Sequence, residues 1–296
     1  VYKRQRDIFA PDLISGAKIS LMLFLLAMFI LFISRVSTES ERFSGAGKSK
    51  HSLIRPNKVL NFSIVLFCSS ILGITFIFPV GQLLLWSSEN LTNNIPLGLL
   101  LNSFYIGFIV AFAASFIALI LSLGGFRNSN KAIFNLSTIG YAVPGSVLAV
   151  ALLLVFNFYF GISITVLGIY GLFLCLLIRF ITPLIRYLDA ALLSMPEETL
   201  SAAMIFSKNS FTTFKNIYFP SLYSPLLLGF LVVFIEVVKE QPATLLLRPV
   251  GFDTLSSKIY NFTSEGQWEL ASTPSIAMIF LSLILVFILN SRVDNE

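Results

Sequence analysis

The chain has 296 residues, 56% of them hydrophobic and only 12% charged, with a formal net charge of +5 and a mean hydropathy of +0.87. That composition lies far outside the range of ordinary soluble domains and is that of an integral membrane protein built from helices. The positive charge needs no nucleic-acid partner, because the basic residues concentrate in loops between apolar runs.

Apolar runs long enough to cross hydrocarbon, about 20 residues each, follow one another along the chain. They lie at Ile19 to Ile33, Phe62 to Trp86, Leu99 to Leu123, Ile133 to Phe156, Ile162 to Ile185, Ser221 to Val238 and Ala271 to Leu289, giving seven candidate spans. Orientation follows from Lys and Arg in the short loops, which are enriched on the cytoplasmic side. The loop after the first run carries Arg35, Arg42, Lys48, Lys50, Arg55 and Lys58; the loop from Ser87 to Pro96 carries no Lys or Arg; the next has Arg127 and Lys131. The alternation places Ser194 to Pro220 in the cytoplasm, flanked by Arg179 and Arg186, and Lys239 to Leu270 outside. Lys3, Arg4 and Arg6 run against this pattern, and Val1 in place of Met leads us to expect a truncated or artefactual start.

Ser194 to Pro220 is a polar, helix-patterned insert between two very apolar runs. Ser194 and Glu197 have the spacing of a capping box, with Pro196 in the first turn. Leu200, Ala203, Met204 and Phe206 form an apolar stripe, Lys208-Asn209-Ser210 interrupts it, and Phe211, Phe214 and Tyr218 resume it. The pattern predicts two short amphipathic helices joined by a bend, suited to lying on a membrane surface or docking on a partner.

Chemistry-bearing motifs are sparse. Ser44-Gly45-Ala46-Gly47-Lys48-Ser49 has the end of a phosphate loop, but Arg42 stands where the first glycine belongs and no strand precedes it. The stretch reads as a flexible linker. His51 is the sole histidine and lies in that linker, so neither a Ser/His/Asp nor a Cys/His arrangement is available, which argues against a hydrolase. Cys68 and Cys175 fall inside apolar runs and read as small hydrophobes; no His/Cys cluster has metal-ligand spacing.

Three features within the runs stand out. Tyr141-Ala142-Val143-Pro144-Gly145 puts a Pro-Gly pair inside a span, which kinks a helix and frees backbone carbonyls, either to line a cavity or only to pack. Glu236, Lys239 and Glu240 are spaced to share one helix face, at the interface or along a wet path, because charges deep in a bilayer cost about 2.5 to 3.5 kcal/mol each. Asn102-Ser103 is a polar pair of the kind that caps or packs helices.

Together these residues resemble the inner-membrane permease subunits of binding-protein-dependent ABC importers, whose cytoplasmic signature is Glu-Ala-Ala followed by Gly and then Ile-x-Leu-Pro. Ala202, Ala203, Ile217 and Pro220 match at the right spacing; Ser201 replaces the Glu, Ser207 the Gly and Phe219 the Leu, while Glu198 lies one turn before the missing acid. The run from Glu236-Val237-Val238-Lys239-Glu240-Gln241-Pro242-Ala243-Thr244 to Arg248-Pro249, with Gly251-Phe252-Asp253-Thr254-Leu255 after it, is similar to the C-terminal half of the two-lobed ferric-iron permeases.

The resemblance implies an all-α permease of the ABC-importer, methionine-importer-like fold, with about seven transmembrane helices and a coupling-helix insert, in the bacterial inner membrane. Residues 1–35 would be the tail and last helix of a preceding lobe, 36–58 a basic cytoplasmic linker, and 59–292 a lobe of six spans containing the 194–220 insert. It further implies that Glu198, Ser201, Ala202, Ala203, Ser207, Phe211, Phe214, Ile217 and Pro220 contact an ABC ATPase dimer. Tyr141, Pro144, Gly145, Glu236, Lys239 and Glu240 would then line or gate the path. The chain would bind no cofactor or metal of its own, ATP being held by the ATPase. Its other partners would be an external solute-binding protein delivering ferric iron, the preceding lobe and membrane lipid, with no nucleic acid. Thiamine, polyamine or another small solute is the alternative cargo. From other classes come an ion-coupled secondary transporter using Glu236, Lys239 and Glu240 as a relay, and a membrane scaffold.

Overall fold

A computed structural model describes residues 57–89, 97–128, 140–161, 164–195 and 210–293, together with helical residues 18, 19, 21–26, 28 and 29. The described part is all-α. Helix α1 (Lys58–Glu89) contains a wide π turn at Gly73–Ile77; α2 is Leu97–Asn128, α3 Gly145–Phe160 and α4 Ile164–Leu193. Ser210–Thr213, the π turn Phe214–Tyr218 and Phe219–Lys239 run on without a break as α5. Three more helices follow: α6 (Pro242–Leu247), α7 (Leu255–Ser264) and α8 (Trp268–Val293). Both π turns end two residues before a proline, Pro79 and Pro220. A proline lacks the N–H for the ordinary ladder and clashes with the carbonyl four residues back, and a widened turn relieves both.

Among the described residues five helices are long and apolar enough to cross a membrane: Lys58–Glu89, Leu97–Gly124, Gly168–Leu193, Phe214–Lys239 and Trp268–Ile288. They correspond to five of the seven expected runs. The first run, Ile19 to Ile33, lies largely outside the described residues. In the run expected at Ile133 to Phe156 the described backbone is helical at residues 140–142, breaks at Val143 and Pro144, and resumes at Gly145 as α3. At 16 residues it spans about 24 Å, short of the roughly 30 Å of hydrocarbon. The reason is Pro144, whose ψ of 139° is extended and which drives Val143 out of helical geometry. The proline therefore breaks the helix, where the sequence suggested only a kink. The next span is also displaced: Gly168, at φ 28° and ψ −122°, interrupts α4, and the apolar helix runs on to Leu193.

Helices α2, α4 and α5 form the core. Val110, Ala111, Ala114 and Ala118 of α2 meet Leu172, Leu176, Phe180, Leu184 and Leu188 of α4 and Val233, Phe234 and Val237 of α5, all buried. Dispersion between well-fitted surfaces holds membrane helices together, so small residues belong where backbones approach. A Cβ on Gly229 would stand 2.9 Å from the Leu184 side chain. The outer face of α2 carries Phe104, Phe108 and Phe112, stacked one turn apart at 6.0 and 6.2 Å, with Phe234 and Phe230 of α5 edge-on to the first two. By contrast Lys58–Leu72 of α1 buries none of its residues and presents apolar surface all round, as a helix surrounded by lipid does.

The insert expected as two short helices has another form where it is described. Ser194 completes α4: its hydroxyl donates back to the Ala191 carbonyl at 2.8 Å and its N–H bonds Ala190 at 3.1 Å. Phe211, Phe214, Tyr218 and Pro220 belong to the first turns of α5, which continue into the span. The second predicted amphipathic helix is thus the start of α5. Glu197, Glu198, Ser201, Ala202, Ala203 and Ser207 lie outside the described residues.

Candidate functional site

Where α5 ends, the chain turns inward. Lys239 is the last helical residue, and Glu240 adopts extended geometry (φ −68°, ψ 118°) before Pro242 starts α6. Glu240 therefore leaves the helix face that spacing predicted it shares with Glu236 and Lys239. Those two do share it and form an ion pair at 2.9 Å, with side chains 34% and 46% exposed. Glu240 instead sends its carboxylate into the protein, where it is 7% exposed and lies 2.5 Å from Nη1 of Arg179, midway along α4.

In the sequence Arg179 reads as a charge flanking the insert; the structure places it inside the Gly168–Leu193 span. The contact is one of charge and proximity, since neither Nε nor Nη1 of Arg179 has an aligned hydrogen-bond acceptor. The signal for Arg179 was available, because an arginine within an apolar run requires a counter-charge. Its partner's identity was not.

The broken helix rests on this pair. A Cβ on Gly145 would collide with both Arg179 Nη1 and Glu240 Oε1, and one on Gly140 would collide with the Ile178 carbonyl. The Tyr141 ring meets Phe180 edge-on at 6.5 Å, and Pro144 caps the start of α3. Of the six residues expected along a path or gate, Tyr141, Gly145 and Glu240 converge on Arg179 and Phe180 of α4, with Pro144 next to them in the chain as the N-cap of α3. Glu236 and Lys239 stand apart on the exposed face of α5.

Glu240 also organises the segment from α6 to α7. Its Oε1 accepts from the Ala243 N–H at 3.3 Å, favourable for an anion beside a helix N-terminus, and its carbonyl accepts from Thr244 Oγ1 at 2.8 Å and Ser256 Oγ at 3.0 Å. The same segment is fastened to α2: Asn102 Nδ2 donates to the Asp253 carbonyl at 2.9 Å, and the Leu255 N–H donates to Ser103 Oγ at 2.8 Å. The Asn102-Ser103 pair thus packs one element against another, as expected. Thr254 and Ser257 form a reciprocal cap on α7, and Arg248 pairs with Asp253 and donates to Ser257 Oγ at 3.4 Å. Burial pulls the Arg248 guanidinium below its ordinary pKa, and the Asp253 carboxylate is its ion-pair partner.

Of the residues expected to contact an ATPase, Phe214, Ile217 and Pro220 lie on the first turns of α5, with the Phe214 ring 5.9 Å from that of Phe219. The backbone at Phe211 is helical.

Residues 114–295 match the family described as the binding-protein-dependent transport system inner membrane component. Among curated proteins the chain is similar to the Fe(3+)-transport system permease protein FbpB 2 of Haemophilus influenzae, 28% identical over 50% of this chain and 29% of that protein. It is also similar to the ferric transport system permease protein FbpB of Actinobacillus pleuropneumoniae, 30% identical over 41% of this chain and 18% of that one. A probable sulfate transport system permease, cysT, of Zygnema circumcarinatum is 25% identical over 77% of this chain and 88% of its own length. The chain thus covers less than a third of the length of either ferric relative. With more than half of its residues matched, the chain belongs to the inner membrane component family of binding-protein-dependent transport systems, as a multi-pass permease component of an ABC importer.

Proposed function

We propose that the chain is a permease lobe of an ATP-driven importer that moves ferric iron delivered by an external binding protein, with ATP bound and hydrolysed by a separate ATPase dimer and no cofactor on the lobe itself. The observation that carries the substrate is the likeness to ferric permeases from two organisms, at 28% and 30% identity. Residues 59–292 make the lobe, residues 1–35 end a preceding lobe, and 36–58 join the two on the cytoplasmic side. The insert at 194–220 is the ATPase contact, through Glu198, Ser201, Ala202, Ala203, Ser207, Phe211, Phe214, Ile217 and Pro220. This assignment has a mechanical rationale, because α5 runs unbroken from Ser210 to Lys239, about 45 Å of helix at 1.5 Å per residue. A displacement at its first turn is carried as a rigid body to its last. Tyr141, Pro144, Gly145 and Glu240 form the gated side of the path, and Glu236 and Lys239 its exposed margin.

Sulfate is the second reading, favoured by an alignment that covers 77% of this chain and 88% of the sulfate permease relative. To separate the two, the full-length permease is reconstituted with its ATPase in proteoliposomes and ATP hydrolysis is measured with an iron-loaded or a sulfate-loaded binding protein outside. Stimulation by the iron-loaded protein alone is the expected result. Stimulation only by the sulfate-loaded protein would exchange the cargo, and transport without any ATPase would sink the importer reading.

A further inference from the structure

Arg179 lies about 16 Å of helix from Gly168 and about 21 Å from Leu193, the ends of its span, at a depth where a charge is expensive. A buried ion pair is a poor device for stability, since apolar side chains of similar shape hold such a site as well or better. This pair is also incompletely bonded, with Nε and Nη1 of Arg179 lacking aligned acceptors. Its position suggests another use. Arg179 stands on α4, whose last residues lead into the 196–209 stretch; Glu240 is the first residue beyond α5, which begins on the other side of that stretch at Ser210. The two helices joined by the insert are therefore the two that bring the charges together. Two further elements rest on the contact, α3 through Gly145 and α6 through the Ala243 N–H, and α7 is tied to the same residue by the Ser256 hydroxyl, which donates to the Glu240 backbone carbonyl.

From this placement we infer that Arg179 and Glu240 form a charge latch that holds the start of α3 and the α6–α7 segment closed against α4, and that opens when α4 and α5 shift relative to one another. Arg179 is a positioning residue, acting through Glu240. The inference rests on the gate reading above and extends it to a residue in another span. It links the two polar features of the chain, since a push on the insert needs only to slide one helix past the other to separate the charges. Sliding of packed helices by small amounts is a common switching motion, and a contact with two discrete states converts it into opening and closing.

Cys175 offers a native reporter. It is fully buried and one helical turn before Arg179 on α4, so opening of the latch uncovers it. In the full-length complex with Cys175 as the single cysteine (Cys68→Ser and any others replaced), labelling by a membrane-impermeant thiol reagent is followed in proteoliposomes. It is expected to be slow at rest and about tenfold faster during ATP turnover, the change that a tenfold shift in the open population gives. The R179M/E240Q variant removes both charges while leaving an acceptor for Ala243, and should label about tenfold faster without ATP at unchanged melting temperature. Slow labelling in a variant that melts like the wild type would overturn the latch. Should that variant not fold, the exchange R179E/E240R decides at rest: labelling as slow as in the wild type supports the latch, and labelling about tenfold faster in a folded exchange variant overturns it. The comparison at rest needs neither ATP nor the binding protein, so its outcome stands apart from that of the cargo and importer tests.

Discussion

Lys239 and Glu240 are neighbours in the chain and opposites in the fold. Lys239 ends α5 and pairs with Glu236 on the same helix face, both side chains at least one-third exposed. Glu240 leaves the helix, is buried, and pairs with an arginine on another span, while its carboxylate accepts from the Ala243 N–H of α6 and its carbonyl accepts from the hydroxyls of Thr244 in α6 and Ser256 in α7. The first pair is local and follows from helical spacing. The second joins parts of the chain that only the fold brings together. A pair within one helix turn can rearrange into solvent when one partner is lost; a pair that bridges α4 and the end of α5 leaves its survivor stranded. Identical chemistry therefore has different consequences, decided by whether water can take the place of the lost partner.

Substitutions at these positions sharpen or break that contrast. The largest effect is expected for Glu240→Ala, which leaves the part-buried Arg179 without its counter-charge inside a span and should cost about 3 to 5 kcal/mol, read as loss of folded protein or a steep fall in melting temperature in detergent. A change under about 1 kcal/mol would mean that solvent reaches Arg179 and that the two pairs are alike after all. A smaller effect is expected for Gly145→Ala. The added Cβ occupies the place of Arg179 Nη1 and Glu240 Oε1, and the overpacking should cost roughly 1 to 3 kcal/mol. Combination with R179M/E240Q should remove part of that cost in a double-mutant cycle of melting temperatures, because the shared contact is gone. Strict additivity would place Gly145 against something other than the pair. The smallest effect belongs to Lys239→Ala, which removes a surface pair of the kind worth about 0 to 1 kcal/mol and should leave melting and transport close to wild type. Loss of transport at unchanged stability would promote Glu236 and Lys239 from margin to pathway.

How much of the fold and the site is legible in the residues alone varies with the range of the interaction. Five spans are recognisable from run length, and the break before Gly145 and the displaced boundary at Gly168 have local causes, a proline and a glycine within apolar runs. The polarity of Asn102-Ser103 is visible and its packing role follows from it, although not the Asp253 and Leu255 backbone groups it holds. Phe211, Phe214 and Tyr218 have helical spacing, yet their continuity with the span is hidden because Lys208-Asn209-Ser210 looks like a bend on both sides. Arg179 reads as a charge flanking the insert because it stands near the end of the apolar run at Ile185. With the span carried to Leu193, as the helix is, it becomes an arginine deep inside a span, and the search for a carboxylate follows.

By itself, then, the sequence determined that this is a helical membrane protein, roughly where most spans lie, which polar stretches interrupt them, and which family it resembles. These properties follow from composition, periodicity and spacing within a turn or two of helix, all of them local. Only the tertiary structure decided that Glu240 abandons Glu236 and Lys239 for Arg179, and that Gly145 leaves room for both. Burial and the choice of an ionic partner depend on which segments meet, and no local pattern of residues carries that information.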